Sequence, residues 1–269
     1  MKTCLIIPDY NAGKIIASVI ERIPAGVIDE IIVVDDASRD NTFEVLSMIP
    51  NVMVLRHAEN QGYGGAQITL HDAAIKSGAD LVVLMHSDGG HFPEELPQML
   101  EPILAGQAQV VLGARIHGVI EKAQPLLGSS LLGALLNGPM PATRLMGHLF
   151  LTGIQNYIFG THYDAWHSGY RAMSRDAILL VPYHDFGVGY LFDTEFLLSA
   201  HLAGLKIKEV PVTSFYDPRS GSTAEPFSYG VKVLQYVLMR RWKMFFQAKN
   251  VKSEIKQRNK NAKGKQAGN

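Results

Sequence analysis

The chain has 269 residues, 47% hydrophobic and 19% charged, with 25 Lys and Arg against 25 Asp and Glu. This composition excludes a disordered protein and allows a core large enough for one big domain or two small ones. The charge is polarised: ten basic residues and one acid, Glu254, lie from Arg240 onward, leaving 15 basic and 24 acidic residues before it, so nucleic acid is not an expected partner of the folded part.

Strand-like sequence follows directly on Met1-Lys2-Thr3, without the apolar region and cleavage site of an export signal. No run reaches the ~18–20 apolar residues of a spanning helix; the nearest, Leu126 to Leu136, is broken by Gly128, Ser129, Ser130 and Gly133. The lone Cys4 lies in Cys4-Leu5-Ile6-Ile7, which predicts a buried strand thiol in a reducing, cytoplasmic compartment.

Apolar runs of strand length occur at 3–7, 30–34, 52–55, 81–85 and 110–113, separated by segments of helical period. This alternation predicts an α/β fold with a mostly parallel sheet flanked by helices. Ser38 and Asp40 are expected to cap a helix ending near Ile49, Gly78 to close a helix over 66–77, and Pro93 to open another. Ligands of such sheets sit beyond the carboxyl ends of the strands. The residues there are Pro8-Asp9-Tyr10-Asn11, Asp35-Asp36-Ala37-Ser38, the stretch 57–65 and His86-Ser87-Asp88-Gly89-Gly90-His91.

Asp35 and Asp36 stand where carboxylates can accept bonds from ribose hydroxyls or a base N–H, although a helix cap is the competing reading of Asp36. Asn60-Gln61-Gly62-Tyr63-Gly64-Gly65-Ala66 is a glycine-rich turn leading into a helix, suited either to close approach of an anion or to a tight connection. His86 and Asp88, two apart at a strand end, point to one side and can grip one cation, a mixed set that suits manganese at least as well as magnesium. His91 is near enough to join them.

Together these residues resemble the nucleotide-sugar domain of glycosyltransferase family 2. The likeness spans roughly 3–230 and adds Gly113-Ala114-Arg115, His167-Ser168-Gly169-Tyr170-Arg171 and Phe192-Asp193-Thr194-Glu195 to the motifs above. It implies a Rossmann-like nucleotide-diphospho-sugar transferase fold, with a nucleotide-sugar half at 1–115 and an acceptor half at 116–230. Pro8, Tyr10, Asn11, Asp35, Asp36 and Ser87 are then expected to hold the UDP- or GDP-linked donor, with Gly64 and Gly65 packed beneath it. Asp88 is expected to bind Mn2+ or Mg2+ with His86 and His91. The family's usual Asp-x-Asp stands here as His86-Ser87-Asp88, and the polar residue that often follows is Gly90.

The stretch 116–160 is rich in Leu, Gly, Met and Pro, which fits either membrane-surface helices or a packed subdomain or homodimer interface. The resemblance to lipid-acceptor members favours the surface helices and a polyprenyl-phosphate acceptor. An acceptor phosphate attacks without a strong base but needs cations, so Arg115, Arg144, Arg171, Arg219 and Ser222 are expected around it. Asp193 and Glu195 are assigned to the catalytic wall with Asp88, Arg115 and Arg171. A strand over 170–173 and a helix over 192–203 are expected to build that wall. The segment 215–223 reads as a mobile loop that orders over phosphates. An amphipathic helix over 231–253 and a disordered basic tail over 254–269 complete the chain. The expected activity is inverting, metal-assisted hexose transfer at the inner face of the cytoplasmic membrane. The alternatives are glycan extension, which needs a carboxylate base such as Asp164, Asp193 or Glu195, and an inactive sugar-nucleotide scaffold.

Overall fold

The computed structural model describes residues 1–115, 142–213 and 228–242, without the side chains of 142–144. In chain order the elements are β1 (Thr3–Asp9), α1 (Ile16–Glu21), β2 (Glu30–Asp35), α2 (Thr42–Ser47), β3 (Val52–Arg56), α3 (Gly62–Lys76) and β4 (Leu81–Leu84). There follow α4 (Leu96–Leu104), β5 (Val110–Ala114), α5 (Ala142–Phe159), β6 (Arg171–Ser174), α6 (Arg175–Leu180), α7 (Phe192–Leu202) and β7 (Ile207–Pro211), then a helix over 228–242, α8.

The seven strands lie in the order β3-β2-β1-β4-β6-β5-β7, all parallel except β6, which runs antiparallel to both neighbours. Central strands read as unbroken apolar runs because both faces are covered. Cys4 and Ile6 enter one core with Leu70 of α3 and Phe196 of α7, while Leu5 and Ile7 enter the other with Ile16 of α1 and Met99 of α4. Each fully buried aliphatic here contributes about 1.5–3 kcal/mol. Cys4 is buried and unpaired, as expected, and burial pushes its thiol up to about 12.

The chain steps outward from β1 through β2 to β3, then returns by α3 to place β4 on the other side of β1. The crevice therefore opens where this direction reverses, at the carboxyl ends of β1 and β4. The antiparallel β6 delivers its first residue, Arg171, opposite Leu84, so the loop 167–170 reaches the same rim.

Two local expectations need correction. The cap of α2 comes from Asp40, whose carboxylate accepts from the backbone N–H of Thr42 (3.1 Å) and of Gly13 (3.3 Å); the Ser38 hydroxyl accepts from Asn11 N–H instead (2.9 Å). The helix expected over 66–77 begins at Gly62, because the Asp36 carboxylate accepts from Gln61 N–H (2.8 Å) and Gly62 N–H (2.9 Å) and so stabilises a first turn within the glycines. Among the described residues no helix is long and apolar enough to cross a membrane.

Candidate active site

Asp35 and Asp36 end β2 with different commitments. The Oδ1 of Asp35 accepts from Ser38 N–H (2.9 Å), and Oδ2 lies 3.3 Å from Arg56 Nε without a hydrogen bond. Asp36 is fully engaged: besides capping α3 it accepts from His57 Nδ1 at 2.6 Å. Both oxygens of Asp36, the residue expected at the nucleoside, are thus bonded to its own neighbourhood and buried. The glycine-rich turn takes the form of a tight connection. Gly64 N–H donates to Val188 O at 2.7 Å, and a Cβ on Gly64 would stand 2.4 Å from Gly187 O. Gly64 is thus required by the close approach of the 187–188 backbone, and its N–H is not open to an anion. Gly65 faces the Gln61 side chain.

Asn11 and Ala37 adopt left-handed backbone (φ 58° for each). Asn11 accepts from Arg39 N–H with its side chain (2.8 Å), which ties the loop after β1 to the loop after β2. Tyr10, 38% exposed, stands beside this tie as an open aromatic face. Pro8 is buried beneath it.

Asp9 faces the switch point. It is 2% exposed; Oδ1 accepts from the Ser87 hydroxyl (2.9 Å), while Oδ2 has no partner. Burial first, then the charges of Asp35 and Asp40, raise this carboxyl to about 7 despite the Ser87 bond. Ser87 is thereby bonded to β1 from within the His86-Ser87-Asp88 tripeptide. Asp88 is exposed, with Oδ1 accepting from Gly90 N–H (2.9 Å) and Oδ2 left for a ligand. His86 is half-buried, its Nε2 2.7 Å from the Tyr63 hydroxyl. His91 packs edge-on against His86 (5.4 Å) and tilted against Tyr170 (4.9 Å). Burial, then His86 and Arg115, hold it well below the usual imidazole range, so it is neutral, and its Nδ1 is buried without a partner. Among the described residues no three His, Cys, Asp or Glu side chains form a closed metal cage. His86 and Asp88 fit the open kind of site, in which a substrate diphosphate completes the coordination.

The opposite wall is formed by 163–171 and α7. Arg171 is fully buried and is corrected from a phosphate-facing cation to a support. Its Nη2 donates to Asp193 Oδ1 (3.3 Å), Asp193 O (3.2 Å) and Ser168 O (3.2 Å), and its guanidinium stacks on Phe196 at 4.7 Å. Asp193 also accepts from Gln67 Nε2 (3.0 Å) and from the Tyr63 hydroxyl (2.9 Å), so it too faces inward. Glu195 accepts from Gly187 N–H (2.9 Å), and its carboxyl is raised by burial. Arg115, half-buried, donates to His167 O at 3.3 Å. The Nδ1 of His167 meets the Tyr229 hydroxyl of α8 (2.8 Å), and burial, then His148 and Arg115, push this imidazole down to about 3. Among the described residues, the wall thus sets the half-buried Arg115 beside His148 and His167, both held below the usual imidazole range by burial. The side chains of Arg144, Arg219 and Ser222, and the loop 215–223, lie outside the described residues.

The model of the family described as "Glycosyl transferase family 2" matches residues 4–177. The chain belongs to that family. Among its relatives is the UDP-N-acetylglucosamine–dolichyl-phosphate N-acetylglucosaminyltransferase of Methanococcus voltae, 29% identical over 87% of this chain and 94% of that protein. The undecaprenyl-phosphate mannosyltransferase of Micrococcus luteus is 28% identical over 90% and 94%. Glucosyl-3-phosphoglycerate synthase from Mycobacterium tuberculosis, solved with Mn2+, UDP and glucosyl-3-phosphoglycerate, has the same fold, with a TM-score of 0.59 at 22% identity over 89% of this chain and 79% of that one.

This family 2 glycosyltransferase also brings to its site residues to which sequence reasoning gave no role of their own: Asp9, Tyr63 and Gly169 within the motifs, and Gln67, His148 and Tyr229 outside them. A charge closing the apolar run of β1 was a signal for Asp9. Gly169 had its own in the His-Ser-Gly-Tyr-Arg motif: a Cβ there would meet His86 Nε2 at 2.0 Å.

Proposed function

We propose that the chain transfers a hexose from a nucleotide diphosphate sugar to a polyprenyl phosphate, with inversion at the anomeric carbon. The observation that carries this reading is the rim itself: Asp88 with a spare carboxylate oxygen, His86 beside it and Arg115 across from them, at the switch point of a family 2 sheet. That its relatives include a dolichyl-phosphate N-acetylglucosaminyltransferase and an undecaprenyl-phosphate mannosyltransferase supports the acceptor class.

On this reading Tyr10 is a stacking face for the base, and Asp35 Oδ2 is an acceptor for nucleoside N–H or O–H groups. Asp88 and His86 hold the divalent cation, manganese or magnesium, whose chemistry is to neutralise the departing diphosphate. Arg115 holds the acceptor phosphate near the anomeric carbon, a gain in orientation that replaces a general base. Glycan extension must deprotonate a hydroxyl, and of the carboxylates that could do so Asp193 has both oxygens already bonded.

The acceptor reading extends to the surface. Helix α5 exposes Met146, Phe150 and Tyr157, which share one face at helical spacing, and α8 exposes Val231, Leu238 and Trp242 on another such stripe. The two helices meet where Leu151 lies against Gly230. These stripes, followed by Arg240, Arg241 and the basic chain end, suit the headgroup region of an anionic membrane, here assigned to the cytoplasmic face.

The test is the configuration of the product. An α-linked donor sugar incubated with Mn2+ and undecaprenyl phosphate is expected to give a β-linked phosphosugar by NMR. An α-linked product overturns the inverting mechanism.

A further inference from the structure

Tyr63 carries one hydroxyl proton and stands between His86 Nε2 (2.7 Å) and Asp193 Oδ2 (2.9 Å). Asp193 is ion-paired with the buried Arg171 and is a carboxylate, so it only accepts. The Tyr63 proton therefore goes to Asp193, and the Tyr63 oxygen accepts from His86 Nε2–H. A neutral imidazole protonated at Nε2 carries its lone pair on Nδ1. Nδ1 has no hydrogen-bond partner among the described residues, while the ring is confined by the backbone of Gly169 on one side and by His91 at 5.4 Å.

We propose that the Arg171–Asp193–Tyr63 chain fixes the tautomer of His86, and that His86 Nδ1 is the nitrogen ligand that shares a divalent cation with Asp88. The inference rests on the nucleotide-sugar reading and adds a selectivity to it. An all-oxygen pair suits magnesium, whereas imidazole beside carboxylate favours manganese or cobalt. Tyr63 is a positioning residue in this arrangement, acting on the cation through the imidazole it orients.

The experiment is pulsed electron paramagnetic resonance of the full chain with Mn2+ and UDP, repeated with GDP, alongside Mn2+ and Mg2+ affinities by competition. The expected result is a directly coordinated 14N signal that disappears in His86→Asp and persists in His91→Gln. The His86→Asp variant should still bind the cation, with its Mn2+ over Mg2+ preference reduced at least about tenfold. Tyr63→Phe should weaken Mn2+ binding about 10- to 100-fold while leaving Mg2+ binding to the His86→Asp background unchanged, a split that a general loss of folding does not produce. A bound Mn2+–nucleotide complex without 14N coupling overturns the inference and leaves the donor reading intact. A signal lost in His91→Gln but kept in His86→Asp also overturns it, by assigning the nitrogen to His91. Failure of both nucleotides to bind with Mn2+ overturns the donor reading and the inference together.

Discussion

On the β2 side of the rim, carboxylates are held by backbone N–H groups of neighbouring loops, as Asp35 is by Ser38 and Asp36 by Gln61 and Gly62. On the opposite wall the carboxylate of Asp193 is held by a buried guanidinium, a tyrosine and a glutamine. The first plan fixes loop shape at small cost and leaves Tyr10 and Asp88 exposed at the rim. The second excludes water and commits its charges to each other, so its residues act by placing His86 and the 187–188 loop. Motif residues on the two sides thus look alike in sequence but differ in what their removal should do.

The largest expected effect is on the wall. Asp193→Ala leaves the Arg171 charge buried and unpaired, and should cost about 3–5 kcal/mol in urea unfolding. A loss below about 1 kcal/mol would dissolve the contrast, because it would mean Arg171 is solvated. Asp88→Ala should do the reverse: transfer falls roughly 10²- to 10³-fold while the urea midpoint stays at the wild-type value, since Asp88 is exposed. Unchanged turnover in this variant removes Asp88 from the cation site.

Asp9 sharpens the comparison because it belongs to neither plan. Burial raises its folded carboxyl to about 7, well above the ordinary aspartate value of about 3.9, so the folded protein retains a proton that the unfolded chain loses between these values. Stability from this group is therefore full below about pH 4 and declines as pH rises to about 7. Asp9→Asn keeps an acceptor for Ser87 and removes the titration. The variant should match wild type at pH 4 and exceed it by roughly 2–4 kcal/mol at pH 8. A difference independent of pH would show that Asp9 titrates normally. The smallest effect is expected from Gly64→Ala, whose Cβ must displace the 187–188 backbone. It should cost about 1–3 kcal/mol, with donor binding weakened only through the shifted loop.

The sheet was legible because its central strands are covered on both faces and so carry unbroken apolar runs, with polar residues appearing only at the rim. The order of motifs placed Asp35, Asp88 and Arg115 correctly on one edge. The roles of Asp36 and the glycines were not legible, because whether a strand-end carboxylate meets a ligand or a backbone depends on how the chain closes 25 residues later at Gln61. Arg171 misled for a similar reason: an arginine beside a glycine-containing loop reads as an anion site until the antiparallel course of β6 carries it beneath the wall. Tyr63 gave no signal of its own, since its two partners lie 23 and 130 residues away.

The most direct test of the account is a solvent-partition assay with purified full-length protein, Mn2+, a panel of labelled UDP- and GDP-sugars, and undecaprenyl phosphate or soluble saccharides as acceptors. The account predicts that label from one donor enters the organic phase only with the lipid phosphate present, and that Asp88→Ala abolishes this. Label transferred to a soluble saccharide, or no transfer from any donor while the nucleotide still binds, would contradict it.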